Sequence, residues 1–260
     1  MSVLFDQVSF VRNSGTVLDS VSFELPPGAS LAIMGGNGSG KSTVLNLIYG
    51  INWKSSGHIT VLGRSYGQCR LATVQAEIGF LQPQVFGQLS QTNLTAADLI
   101  MSGIQGTLGL YRDPNAAERE QLEKLVTQNS LQTMRHKPWS VLSNGEKLKL
   151  LFIRSQIRTP RLFLLDEATA SLDYQAVDEF YASLEKLHME RKAAFVLAIH
   201  KLDEVPDWVD YFLALKQGRV LFFGQRSAVI NADHLQELYD IPPGRAAQLA
   251  ALLTKQQPAL

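Results

Sequence analysis

Ser30-Leu31-Ala32-Ile33-Met34 runs directly into Gly35-Gly36-Asn37-Gly38-Ser39-Gly40-Lys41-Ser42-Thr43, and residues 42–49 then take up helical spacing. A short apolar strand that breaks into glycines and reopens as a helix is the opening unit of an α/β domain. Gly35, Gly40, Lys41 and Ser42 fill the fixed slots of the pattern G-x-x-x-x-G-K-[ST]. The glycines and Asn37 let successive backbone N–H groups turn inward as an anion nest, and the helix that follows adds its positive end. The stretch therefore predicts a loop that grips polyphosphate. Lys41 would neutralise the β- and γ-phosphates, the Ser42 hydroxyl would ligate Mg²⁺, and Thr43 would reach the α-phosphate.

Outward from the loop, residues 3–23 form short β-branched and aromatic segments split by Arg12-Asn13-Ser14-Gly15, which predicts an N-terminal antiparallel β-layer. Residues 58–62 and 78–81 read as strands, whereas 96–101, 116–128 and 146–158 carry helical periodicity. The strand signal returns after Pro160 at 162–165, 195–199 and 211–215, with a helix over 174–187 between the first two. Strands alternating with helices favour a parallel sheet covered on both faces. The residues after 231 read as helical, ending in a polar tail at 255–260 that is expected to fray.

The chain has 260 residues and 45% apolar composition, enough for one large domain or a core with a subdomain. Lys plus Arg equals Asp plus Glu at 24 each, so no global charge favours nucleic acid or an acidic membrane. The lone Cys69 excludes an internal disulfide and a multi-cysteine zinc site. No Lys or Arg precedes Arg12, and no apolar run approaches the length of a membrane span. The expectation is a cytosolic protein that borrows any membrane function from a partner.

Leu162-Phe163-Leu164-Leu165 delivers Asp166 and Glu167 at a strand's C-terminal end, where open α/β sheets place their ligands. Alone, such a pair is more often the acidic start of a helix. Beside the glycine loop it reads as the other half of a nucleotide site, with Asp166 holding Mg²⁺ and Glu167 polarising the attacking water. Leu142-Ser143-Asn144-Gly145-Glu146 precedes the helix at 146–158. Ser143 is a good N-cap, Glu146 stands at the capping-box position, and Gly145 allows close backbone approach.

The order of glycine loop, helical insertion, Leu142 to Glu146, then Asp166-Glu167-Ala168-Thr169-Ala170-Ser171-Leu172-Asp173 and a strand ending at His200 resembles the ABC ATPase family. The likeness runs from the N-terminal strands to about Gly224. It implies a P-loop NTPase (RecA-like) core over residues 1–87 and 159–230, a helical subdomain over 88–158, and a C-terminal helical segment and tail over 231–260. It also implies an ATPase that uses ATP and Mg²⁺, pairs with a second ABC ATPase subunit as a homodimer, and drives a separate membrane permease from the cytoplasmic face of the inner membrane. Gly35, Gly36, Asn37, Gly38, Ser39, Gly40, Lys41, Ser42 and Thr43 of one subunit would face Ser143, Asn144, Gly145 and Glu146 of the other, with Asp173 crossing the interface. His200 would sense the γ-phosphate.

Three features depart from the family pattern. The slot under the adenine holds Arg12, whose guanidinium can stack on a purine in place of an aromatic ring. The glutamine that would join the metal and catalytic groups is Gln82 or Gln84, with Gln82 preferred. Asn144 and Glu146 replace the commoner Gly and Gln, and Glu146 is expected to cap its helix and stay off phosphate. The stretch over 94–111 resembles a branch of single-domain ABC ATPases that includes relatives of molybdate-type transporters and photorepair-labelled proteins. Val85, Phe86 and Leu89 would line a groove for a permease helix or else lie in the core. The alternative function is a soluble ABC ATPase in nucleic-acid repair or translation, for which the sequence lacks a long heptad coiled coil or a tandem domain.

Overall fold

The computed structural model describes residues 1–13, 15–82, 87, 89, 92–107, 109–170, 172–199 and 201–254, the side chain of Asp203 excepted. His200, Gln84, Val85, Phe86, Ser171 and the tail at 255–260 lie outside the described residues.

Strands β1 (Val3–Arg12), β2 (Gly15–Leu25), β3 (Leu31–Met34), β4 (Ser56–Val61), β5 (Arg64–Ser65), β6 (Ile78–Leu81), β7 (Leu162–Asp166), β8 (Ala194–Ala198), β9 (Tyr211–Lys216) and β10 (Arg219–Gln225) build two sheets. The first, in order β2-β1-β4-β5, is antiparallel, as the N-terminal turn residues predict. The second runs β10-β9-β3-β8-β7-β6 and is parallel from β9 to β6. Its β10 edge, a strand the sequence reading did not include, is antiparallel. Gln217 and Gly218 both take positive φ, 51° and 77°, the geometry of a tight hairpin turn, and fold β10 back against β9.

The central strands are apolar on both sides because both faces are covered. Leu31, Ile33, Leu162, Leu164, Ala194, Val196, Leu213 and Leu215 point into one core, which they share with the antiparallel sheet and with helix α1 (Lys41–Tyr49). Their neighbours Ala32, Met34, Phe163, Leu165, Phe195, Leu197, Phe212 and Ala214 point into the other. There they meet Phe180, Leu184 and Leu187, which lie on the helix Tyr174–Arg191.

The remaining helices are α2 (Leu71–Gln75), α3 (Ala96–Gln105), α4 (Ala116–Gln128), α5 (Asn144–Gln156), α6 (Tyr174–Arg191), α7 (Arg226–Val229), α8 (Ala232–Tyr239) and α9 (Pro243–Thr254). A third core gathers Leu99, Ile100, Val126, Leu131, Trp139 and Leu150 from the middle of the chain. Helix α5 bridges it to the sheet, giving Leu150, Leu151 and Ile153 to the third core and Leu148 and Phe152 to the second. Leu235, Leu238, Ala246 and Leu253 lay α8 and α9 against the second core. No helix among the described residues is long and apolar enough to cross a membrane.

Candidate nucleotide site

β3, β8 and β7 are parallel neighbours, so their C-terminal ends emerge on one edge of the sheet. β3 feeds Gly35, and β7 ends at Asp166 with Glu167 next. Gly35 has φ 146°, and a Cβ there would fall far inside contact distance of the Leu215 carbonyl and 2.6 Å from Ser39 Oγ. Only glycine lets the chain turn this close to β9. Gly40, at φ 107°, lies so near β2 that a Cβ would meet Leu18 Cδ2 at 2.5 Å. The antiparallel sheet thus backs the start of α1.

Helices α3, α4, α5, α6 and α8 begin with a capping side chain: Thr95, Asn115, Ser143, Asp173 and Asn231. α1 begins with Gly40 and has no side-chain cap. The N–H groups of its first turn, from Lys41, Ser42 and Thr43, are therefore left for an anion.

Lys41 is 5% exposed and folds back on its own loop, donating to the carbonyls of Gly35 (3.0 Å) and Gly36 (3.3 Å). Its Nζ also lies 3.5 Å from Glu167 Oε1. The ammonium is held between the loop and the acidic strand end. Glu167 has φ 48°, a left-handed conformation that costs a side-chain-bearing residue about 1–2 kcal/mol. Its N–H donates to the Ala198 carbonyl, and its carbonyl accepts from Ala170 N–H, each at 3.2 Å.

Ser42 Oγ donates to Asp166 Oδ1 at 2.8 Å, joining α1 to the end of β7 across 124 residues of sequence. Asp166 is 4% exposed. Burial pushes its carboxyl above the ordinary 3.8, and the Glu167 charge adds to that, while Ser42 and Lys41 oppose it. A hydroxyl beside a buried carboxylate short of positive charge is a hard-oxygen pair that fits a divalent cation such as Mg²⁺. Gln82 Nε2 donates to Asn46 Oδ1 on α1 at 2.8 Å, so Gln82 lies one helical turn beyond Ser42.

Ser143 and Asp173 lie on a separate cleft of about 530 Å³ between α5 and α6, lined also by Gly145, Glu146 and Ala176. No hydrogen bond or ion pair among the described residues joins them to residues 35–43. Ser143 and Glu146 form a reciprocal capping box: Ser143 N–H donates to Glu146 Oε2 (2.8 Å) and Glu146 N–H to Ser143 Oγ (3.1 Å). The Ser143 N–H, and then Lys137 Nζ at 3.1 Å, hold the Glu146 carboxyl below its usual range. Glu146 is thus a cap, as its spacing predicts. Asp173 caps α6 through Ala176 N–H at 2.8 Å. Arg12 is exposed at the end of β1 and pairs with Gly15 at the hairpin.

Sequence reasoning missed Tyr239. This residue, at the end of α8, sets its phenolic oxygen against the Gly35 N–H, and burial pushes its pKa up to about 12. It also missed the bond between Thr169 and Glu204 on the loops beyond β7 and β8.

The family model described as ABC transporter matches residues 18–170. An uncharacterized ABC transporter ATP-binding protein of Lactococcus lactis is 30% identical over 89% of this chain and 90% of its own length. The hemin import ATP-binding protein HmuV of Hydrogenovibrio crunogenus is 27% identical over 89% and 90%. CbiO1 of Clostridium perfringens, described as part of the ABC transporter complex CbiONQ, superposes with a TM-score of 0.74 at 23% identity over 95% of this chain and 98% of that one, a likeness of fold. Matched by that family model over more than half of its length and by a 30% identical relative over nearly all of it, the chain belongs to the ABC transporter family, as one of its ATP-binding proteins.

Proposed function

We propose that the chain is the ATP-hydrolysing subunit of an ABC uptake system, acting as a head-to-tail dimer on a separate membrane permease at the cytoplasmic face of the membrane. The observation that carries this reading is the 2.8 Å bond from Ser42 to Asp166, which makes the glycine loop and the acidic strand end one site. The hemin-import relative supports uptake as the direction.

The loop N–H groups and Lys41 bind the β- and γ-phosphates, and Lys41 leaves the Gly35 and Gly36 carbonyls to do so. Ser42 and Asp166, with Gln82 beyond them, would hold Mg²⁺, which supplies positive charge to the phosphate oxygens. Glu167 accepts a hydrogen bond from the attacking water, orienting it in line with the γ-phosphorus and drawing off its proton as the bond to the leaving oxygen breaks. Ser143, Asn144 and Gly145 of the second subunit close over the γ-phosphate, with His200 as its sensor. Residues 88–158 form the arm that carries this segment and receives the permease.

Glu167→Gln tests the assignment. The variant is expected to bind ATP, accumulate as a closed dimer and lose at least about a hundredfold in turnover, the scale of one general base. Undiminished steady-state hydrolysis would remove Glu167 from the chemistry.

A further inference from the structure

Two loops flank Glu167, one leaving the end of β7 and one following β8 into the 3-10 turn Leu202–Glu204. Thr169, 6% exposed, donates its hydroxyl to Glu204 Oε2 at 2.8 Å. Lys201 Nζ donates to the other oxygen, Oε1, also at 2.8 Å. The Glu204 side chain is only 13% exposed, so its charge is held inside the fold by these donors. Tyr181 from α6 brings its buried phenol to the Thr169 hydroxyl, and burial raises its pKa to about 12, so it remains neutral beside the carboxylate.

A cavity of about 50 Å³ lies between the loops, bounded by Glu167, Thr169, Tyr181, Lys201 and Glu204 among others. The loops are therefore not packed solid, and the Thr169–Glu204 bond spans the gap. On the strand side, the Glu167 N–H to Ala198 carbonyl bond already joins the ends of β7 and β8. The second bond, two residues past Glu167, fixes the other side of a residue whose left-handed backbone must be imposed by its surroundings.

We infer that Thr169 and Glu204 are positioning residues for hydrolysis, whose hydrogen bond ties the loop carrying Glu167 to the loop after β8 so that both answer to the γ-phosphate as one unit. The inference rests on the reading of Glu167 as the group that activates water. Neither residue is among those assigned to the phosphates, so loss of the tie should lower kcat and leave binding alone.

The test is a double-mutant cycle in steady-state ATPase on the full chain, with nucleotide affinity and thermal midpoint measured on every variant. Thr169→Val and Glu204→Ala are each expected to lower kcat about tenfold, the effect of one charge-assisted hydrogen bond, with KM within about twofold of the parent. The double variant should be no slower than the worse single. Thr169→Ser should restore kcat, and Glu204→Gln, which keeps an acceptor, should retain more activity than Glu204→Ala. Independent losses that multiply, an unchanged kcat with only a lowered midpoint, or failure of Thr169→Ser to rescue would each overturn the tie. Undiminished hydrolysis in Glu167→Gln would overturn the reading beneath it; loss in that variant together with multiplying singles would overturn the tie alone.

Discussion

Ser42→Ala removes one oxygen, and its consequences follow from the site. That hydroxyl donates to Asp166 at 2.8 Å, and Asp166 is 4% exposed. A hydrogen bond to a charged group contributes about 1.5–3 kcal/mol, so the variant should lose that much stability while Asp166 is ionised. For a chain of this size that is a fall of about 3–10 °C in thermal midpoint. The loss must also depend on pH. Burial raises the Asp166 carboxyl above its value of 3.8, so in that window the folded state holds a proton that the unfolded state has released. Stability from this group is then greatest at low pH and falls as pH rises through the folded-state pKa, above which the full cost of the buried charge is present. Ser42 is one of the influences that lower that pKa. Removing it pushes the pKa higher still, so the gap between variant and parent should be widest above both folded-state values and shrink as pH falls through them. Differential scanning fluorimetry across pH, without nucleotide or divalent cation, reads this directly. A gap that does not shrink as pH falls toward the unfolded carboxyl value of 3.8 would refute the coupling, and no gap at all would refute the hydrogen bond.

Gly35→Ala forces a Cβ against the Leu215 carbonyl and Ser39 at a φ of 146°; it should cost about 1–3 kcal/mol in crowding and abolish tight ATP binding, so an unchanged affinity in a fluorescent-nucleotide titration would contradict the loop's role. Glu146→Gln retains capping-box chemistry and should leave turnover within about twofold; a several-fold gain in turnover or in ATP-driven dimerisation would show that the carboxylate repels phosphate.

Local chemistry made some of this readable from the sequence and left other parts hidden. The glycine loop was legible because its pattern encodes backbone geometry: the φ values at Gly35 and Gly40 are ones that glycine tolerates. The Glu146 cap was legible because a capping box spans three residues. β10 was missed although Gln217-Gly218 between apolar runs carried a hairpin signal, because the alternating strand and helix pattern favoured continued parallel pairing. Gln82 was visible as a residue type, but its partner Asn46 lies 36 residues away.

The harder cases share one property: their partners meet only through the sheet. Thr169 and Glu204 are 35 residues apart, and Gly35 and Tyr239 belong to opposite ends of the chain. In neither pair does spacing or residue type announce the other member. Glu167 is the sharpest instance. Its identity as an acid after a strand was plain, yet its positive φ, its bond to Ala198 and its approach to Lys41 are all imposed from outside its own segment. The sequence names the candidate groups for phosphate because phosphate chemistry restricts residue type. Where those groups point is decided by neighbouring loops, whose side chains are restricted only by one another, and a fold must bring them together before the restriction can be seen.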